Sequence, residues 1–245
     1  MGKPVLEVKD LNVSFYENQK GFFSKKKKRQ VLNHIEFTIE SGEIVGLVGE
    51  SGCGKSTLAK TILGLNKKFE GTIETSCKTP QMVFQDPYSS LNPAKRIAWI
   101  LMEPLKMHRE LSREEMQHKV DEMLEKVGLP KEVGEKYPSQ LSGGQRQRVG
   151  IAVALMLEPT FLVADEPVSA LDVTMQKQIL KLLKTLHEEM ELAVLFISHD
   201  LRVVYQLCDR VMIMQHGKIV EEGRVEEVFA NPQHAYTRML LDAVE

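Results

Sequence analysis

The chain has 245 residues, 42% hydrophobic and 27% charged, with 34 acidic against 32 basic side chains and a net charge of −2 with neutral histidines. That length suffices for one large α/β domain with a buried core, and the charge balance argues against a nucleic-acid binder whose whole surface is basic. No apolar run approaches the roughly 18 residues of a membrane span. No signal-peptide core follows the N-terminus, because Lys9 and Asp10 come directly after Val8. Any membrane role is therefore expected to run through a partner. Cys53, Cys77 and Cys208 form no C-x-x-C pair and no zinc-type cluster, which fits free thiols in a reducing compartment.

Along the chain, Val5 to Tyr16 alternates apolar and polar residues and predicts a half-buried strand. The run Lys25 to Arg29 carries five adjacent positive charges and reads as a solvated hairpin tip, with contact to anionic lipid or RNA as the other reading. Val31 to Glu40 looks like the returning strand. Ile44 to Val48 is a short buried strand, and Leu58 to Leu63 a helix closed by Gly64. Phe69 to Glu74 and Gln81 to Gln85 suggest two more strands. Ile97 to Met107 reads as helix broken by Pro104. Ser112 to Glu115 resembles a capping box, followed by Met116, Val120, Met123, Leu124 and Val127 at helical spacing before Gly128. The methionine stripe reads as core packing rather than a soft-metal site. A helix is expected over Arg146 to Leu157, with Pro159 marking its end. Phe161 to Ala164 is a buried strand, and Asp172 caps a helix with Ile179, Leu180, Leu182, Leu183 and Leu186 on one face. Leu192 to Ile197 is a strand, 211–214 and 218–223 form a hairpin turning at His216-Gly217, and a last helix covers about Ala235 to Ala243. Alternating strands and helices predict a parallel sheet with ligands at its carboxyl ends.

Three segments carry chemistry. Between the strand at Ile44 and the helix at Leu58 lies Gly49-Glu50-Ser51-Gly52-Cys53-Gly54-Lys55-Ser56-Thr57, a G-x-x-x-x-G-K-[ST] phosphate loop in its proper context. Its glycines let backbone N–H groups approach an anion, and the helix aims its positive end there. Lys55 adds a mobile charge and Ser56 a hydroxyl for magnesium. Cys53 inside the loop is a liability toward alkylation. Asp165-Glu166 follows an all-apolar strand; Asp165 suits a magnesium shell, and Glu166 could polarise a water for attack on a γ-phosphate. Leu141-Ser142-Gly143-Gly144-Gln145 is a second anion receptor at a helix start, with no client in its own subunit. It would have one if two chains faced each other head to tail around shared ATP, which points to a dimer.

The ordered set of phosphate loop, Gln85, Leu141 to Gln145, Asp165-Glu166, Ser169-Ala170-Leu171-Asp172 and His199 resembles the ATP-binding-cassette ATPases over essentially the whole chain. Val83 to Pro87, Ser89 to Pro93 and Asn231 to Thr237 look like the ATPase subunits of dipeptide, oligopeptide and nickel importers. The resemblance implies an α/β P-loop NTPase (RecA-like) fold: a parallel-sheet core, an N-terminal antiparallel β-subdomain and an inserted α-helical subdomain. Residues 1–245 would be a single nucleotide-binding domain, with the helical insert over about 88–157 and a short tail over about 231–245. The segment from Gly71 to Gln85 is shorter than usual in that family, and no cysteine follows Cys208.

By the same resemblance, Lys55 would bind the β- and γ-phosphates and Thr57 the α-phosphate. Gly49, Ser51, Gly52, Cys53 and Gly54 would line the phosphate cradle. Ser56, Gln85 and Asp165 would reach Mg2+. Glu166 would be the general base, and His199 would bond the γ-phosphate and align Glu166. Ser142, Gly143, Gly144 and Gln145 would close on the ATP of the opposite subunit, and Asp172 would link the two sites. Phe15, beside Tyr16, matches the aromatic that stacks on adenine. The implied function is the ATP-hydrolysing energy subunit of an importer for peptides or nickel, at the cytoplasmic face of the membrane. Its partners would be integral membrane permease subunits, a second ATPase subunit and, indirectly, an extracytoplasmic solute-binding protein, with no nucleic acid. The rival is a soluble single-cassette ATPase not tied to transport, for example in phosphonate metabolism or DNA repair.

Overall fold

The computed structural model describes residues 4–17, 27–86, 91–108 and 110–243. Lys25 and Lys26 of the basic run lie outside the described residues, as do Pro87, Ser89 and Ser90. In chain order the elements are β1 (Pro4–Glu17), β2 (Lys27–Glu40), β3 (Ile44–Val48), α1 (Lys55–Ile62), β4 (Glu70–Thr75), β5 (Gln81–Val83), α2 (Ile97–His108), α3 (Arg113–Lys126), α4 (Gly143–Leu155), β6 (Phe161–Asp165), α5 (Val173–Met190), β7 (Ala193–Ser198), α6 (Leu201–Leu207), β8 (Arg210–Gln215), β9 (Lys218–Arg224), α7 (Val225–Ala230) and α8 (Ala235–Asp242). Two short 3-10 turns, Lys131–Glu135 and Pro138–Gln140, lie between α3 and α4. The chain forms two compact units: Met1–Cys77 with Leu195–Glu245, and Lys78–Val194.

The first unit holds a three-stranded antiparallel sheet in the order β2-β1-β4. The alternation read from the sequence is the cause: Leu6, Val8, Leu11 and Val13 of β1 and Leu32, Ile35, Phe37 and Ile39 of β2 are buried. β2 starts earlier than expected. Lys27, Lys28 and Arg29 are strand rather than loop, because their backbone pairs with Glu17, Tyr16 and Phe15 of β1, and that pairing outweighs charge repulsion along the run. All five residues of β3 are buried, and β3 pairs in parallel with β8. β8 and β9 form the expected hairpin, whose two-residue turn has His216 at φ 47° and Gly217 at φ 78°. Two successive left-handed residues are what a type I′ turn requires. α6 and α7 had no sequence prediction; each is one to two turns long, too short for a visible apolar period.

The second unit pairs β5 in parallel with β6. β5 stops at Val83, leaving Phe84 and Gln85 exposed beyond the strand. α2 corrects the expected break: it runs unbroken through Pro104. Proline removes one N–H from the ladder, which costs helix stability. Here Ile97, Leu101 and Leu105, four residues apart, are fully buried, and that apolar stripe holds the helix across the gap. α3 follows the prediction closely. Ser112 and Glu115 form a reciprocal capping box, and Met116, Val120, Met123 and Leu124 are buried. α4 begins at Gly143 rather than Arg146, because Ser142 is its N-cap. α5 buries the five apolar residues named from the sequence.

Candidate active site

The first unit carries the phosphate loop between β3 and α1. A Cβ at Gly49 would stand 2.2 Å from the Met214 carbonyl oxygen, so only glycine fits there. Gly52 and Gly54 hold φ of +81° and +118°, backbone that L side chains resist. Gly54 is also the N-cap of α1 and gives it no side-chain cap. The first-turn N–H groups thus face the loop uncapped, at the positive end of the helix, and fit a polyphosphate. Lys55 is buried, and its Nζ donates to the carbonyls of Gly49 at 2.6 Å and Glu50 at 3.0 Å. The loop is braced from outside at two points. The Gly217 N–H, in the β8–β9 turn, donates to the Cys53 carbonyl at 3.0 Å, and the Glu50 N–H donates to the Tyr236 hydroxyl of α8 at 3.0 Å.

Cys53 is buried, and that burial raises its thiol pKa against the opposing pull of the Lys55 charge. A protonated, enclosed thiol is a poorer target for alkylation than its place in the phosphate loop suggested. His199 is exposed between β7 and α6. Its neighbours are fixed: the Asp200 N–H donates to Ser198 Oγ at 3.0 Å, and Asp200 caps α6 by accepting from the Arg202 N–H at 3.0 Å. The Arg202 guanidinium pairs with both oxygens of Asp200 and holds its carboxyl below the usual aspartate range. Phe15 lies on β1, 43% exposed, as a stacking aromatic must be.

The second unit carries Gln85, Asp165, Glu166, Ser142 to Gln145 and Asp172. Asp165 ends β6, and Glu166 directly after it adopts φ 47°. A left-handed non-glycine residue costs about 1 to 3 kcal/mol and persists where surrounding structure imposes it. Gln85 is brought to it across 81 residues of sequence: its Nε2 donates to Glu166 Oε2 at 3.0 Å and to Ser169 Oγ at 3.4 Å. Ser169 Oγ donates to the Glu166 carbonyl at 3.1 Å, so the carboxylate and its backbone are held by separate partners. With Nε2 so engaged, the acceptor end of the Gln85 side chain is its amide oxygen. That oxygen and the Asp165 carboxylate in this unit, and separately the Ser56 hydroxyl in the first, are each of the hard oxygen type that Mg2+ prefers.

At the start of α4, Ser142 Oγ accepts from the Gln145 N–H at 3.3 Å, while Gln145 Oε1 accepts from the Ser142 N–H at 3.1 Å. The serine hydroxyl expected to meet an anion is therefore also the helix cap. A Cβ at Gly144 would fall 1.6 Å from Met175 Cε, the far end of a flexible side chain, so a larger residue there would have to push that methionine aside. Asp172 Oδ1 accepts from the Met175 N–H at 2.9 Å, capping α5, and Gln176 Nε2 ties the preceding loop by donating to the carbonyls of Val168 and Leu171. Sequence reasoning gave no role to Ser169 or Tyr236; the bonds they make depend on which loops meet, and no local spacing announces that.

A strand-loop-helix phosphate cradle and a strand ending in paired carboxylates define a P-loop nucleotide-hydrolysing protein. The model of the ABC transporter family matches residues 32–169. The dipeptide transport ATP-binding protein DppF of Haemophilus influenzae is 46% identical over 244 residues, covering 94% of this chain and 75% of that protein. The oligopeptide transport ATP-binding protein OppF of Escherichia coli is 44% identical over 260 residues, covering 99% and 78%. Among solved structures, cbiO1 of Clostridium perfringens, part of the ABC transporter complex cbiONQ, aligns with a TM-score of 0.78 at 30% identity, covering 93% of this chain and 91% of that one. A dimeric post-hydrolysis structure of the ATP-binding cassette MJ0796 with ADP and Pi aligns with a TM-score of 0.77 at 28% identity, covering 90% and 98%. The chain belongs to the ABC transporter family, and it is an ATPase of that family. Among the described residues, no helix is long and apolar enough to cross a membrane.

Proposed function

We propose that this chain is the ATP-hydrolysing subunit of a peptide importer, peripheral to the membrane at its cytoplasmic face. One observation carries the substrate class: near-full-length identity to proteins named for dipeptide and oligopeptide transport. Its partners are integral membrane subunits, a second ATPase subunit and, indirectly, an extracytoplasmic solute-binding protein. The helices between about residues 88 and 157 form the inserted subdomain, and the tail covers about 231–245.

Phosphoryl transfer needs positioning and charge neutralisation more than covalent help. The uncapped first turn of α1 and Lys55 bind and orient the phosphates, with Thr57 at the α-phosphate and Phe15 stacked on the adenine. Ser56, Gln85 and Asp165 would hold Mg2+, which would neutralise charge on the outer phosphates. Glu166 accepts the proton of the attacking water, and its hydrogen bond from Gln85 aims that carboxylate. His199 bonds the γ-phosphate. Ser142, Gly143, Gly144 and Gln145 complete the site of the opposite subunit, with Asp172 linking the two. ATP drives closure only by fitting the closed dimer better than the open one.

Glu166→Gln keeps the shape and removes the base. Hydrolysis should fall at least about a hundredfold, the usual contribution of a general base, while Mg-ATP binding persists by titration. Hydrolysis near the parent rate would remove Glu166 from the mechanism. In proteoliposomes with the membrane subunits, ATP should drive uptake of a labelled dipeptide; uptake of nickel instead would overturn the substrate class.

A further inference from the structure

We infer that Tyr236 is a positioning residue for the phosphate-binding lysine, acting through a single peptide group of the loop. This rests on reading Lys55 as the side chain that binds phosphate. The Gly49–Glu50 peptide is a planar unit, with its carbonyl and its N–H on opposite sides. Its N–H donates to the Tyr236 hydroxyl at 3.0 Å, and its carbonyl accepts from Lys55 Nζ at 2.6 Å. The phenol and the ammonium thus grip two ends of one rigid plate. The plate cannot turn without loosening both bonds. Glycine on one side of it offers little resistance to such turning, so the restraint has to come from outside the loop.

Tyr236 is itself firmly placed. It is 4% exposed in the first turn of α8, and its own N–H donates to His234 Nδ1 at 3.2 Å. The segment around it is clamped to β9. Glu221 accepts from the N–H groups of Gln233 at 2.7 Å and His234 at 2.9 Å, and from the Thr237 hydroxyl. A continuous path runs from the β9 carboxylate through α8 and the phenol to the peptide plate and the lysine. Burial raises the Tyr236 phenol pKa, against the opposing bond from Glu50, so the hydroxyl stays neutral. By this path the C-terminal helix pre-organises the nucleotide site, and a lysine held in place in advance loses less freedom when phosphate arrives.

The test is Tyr236→Phe in the full chain, which deletes one oxygen and keeps the ring's packing volume. The dissociation constant and KM for Mg-ATP should rise about three- to tenfold, the scale of one net hydrogen bond, with kcat within about twofold. In a Lys55→Ala background the same substitution should have no further effect on ATP affinity, because the lysine it positions is gone. Thr237→Val, which loosens the docking of α8 but keeps the phenol, should lower the nucleotide-free melting midpoint with a smaller change in affinity. The inference is overturned if Tyr236→Phe lowers only the midpoint, if it leaves ATP affinity unchanged, or if its effect persists without Lys55. Should Lys55→Ala alone leave ATP affinity intact, the phosphate reading of Lys55 fails instead.

Discussion

Gly49→Ala tests the close approach of the phosphate loop to β8. The added methyl would stand 2.2 Å from the Met214 carbonyl oxygen and 3.2 Å from its carbon. Carbon and oxygen approach without strain at roughly 3.3 Å, so about 1 Å of movement is required. The obstacle is backbone, which cannot swing aside as a side chain can. Met214 is fully buried, and the β3–β8 ladder just before it pairs Val45 to Val48 with Arg210 to Ile213. Overpacking a core costs about 1 to 3 kcal/mol, and this site belongs at the upper end, near 3 kcal/mol. At roughly 2 to 4 °C per kcal/mol for a chain of this size, the melting midpoint should drop by about 6 to 12 °C. ATP affinity should fall as well, because relieving the clash displaces residue 49, whose own carbonyl accepts from Lys55 Nζ. Gly52→Ala is the control. It has φ +81° and nothing within 4 Å, so it carries only backbone strain of about 1 to 2 kcal/mol. Thermal unfolding of both variants decides: a Gly49→Ala midpoint within about 2 °C of the parent, or a larger loss from Gly52→Ala, refutes the steric argument.

Asp172→Ala removes the α5 cap and should cost about 1 kcal/mol, read as a lower urea midpoint; an unchanged midpoint would mean that the Met175 N–H is satisfied without it. Burial pushes the Glu221 carboxyl up, but the bonds from Thr237, Gln233 and His234 outweigh it and hold it below the usual glutamate value. A depressed folded pKa contributes stability that is present above the unfolded value of about 4.3 and is lost as the pH falls through the folded one. Glu221→Gln should therefore flatten the acid limb of the stability curve below about pH 4.5, and a limb of parent steepness would exclude Glu221 as its source.

The sequence disclosed most where physical causes are local. The capping box at Ser112 and Glu115, the apolar face of α5 and the His216-Gly217 turn are each set by residues within a few positions of one another. Pro104 misled because its local penalty is opposed by burial of Ile97, Leu101 and Leu105, a tertiary effect that composition does not reveal. The start of β2 was misplaced for the same reason, since the partner strand decides where Lys27 to Arg29 go. In the site, the glycine loop and the two carboxylates were legible as motifs. The left-handed backbone at Glu166 was not, because no residue type there favours it. Nor was the Tyr236 bond, which joins positions 186 residues apart.

With Glu166 as the proposed general base, its left-handed backbone sets folding and turnover against each other at one position. Glycine or asparagine would relax the φ of 47° at Glu166, since both tolerate that region better. A library selected only for expression or heat resistance should drift toward those two residues at position 166 and lose hydrolysis as it does so. Thermostabilised versions of this chain are best screened with turnover as a second criterion.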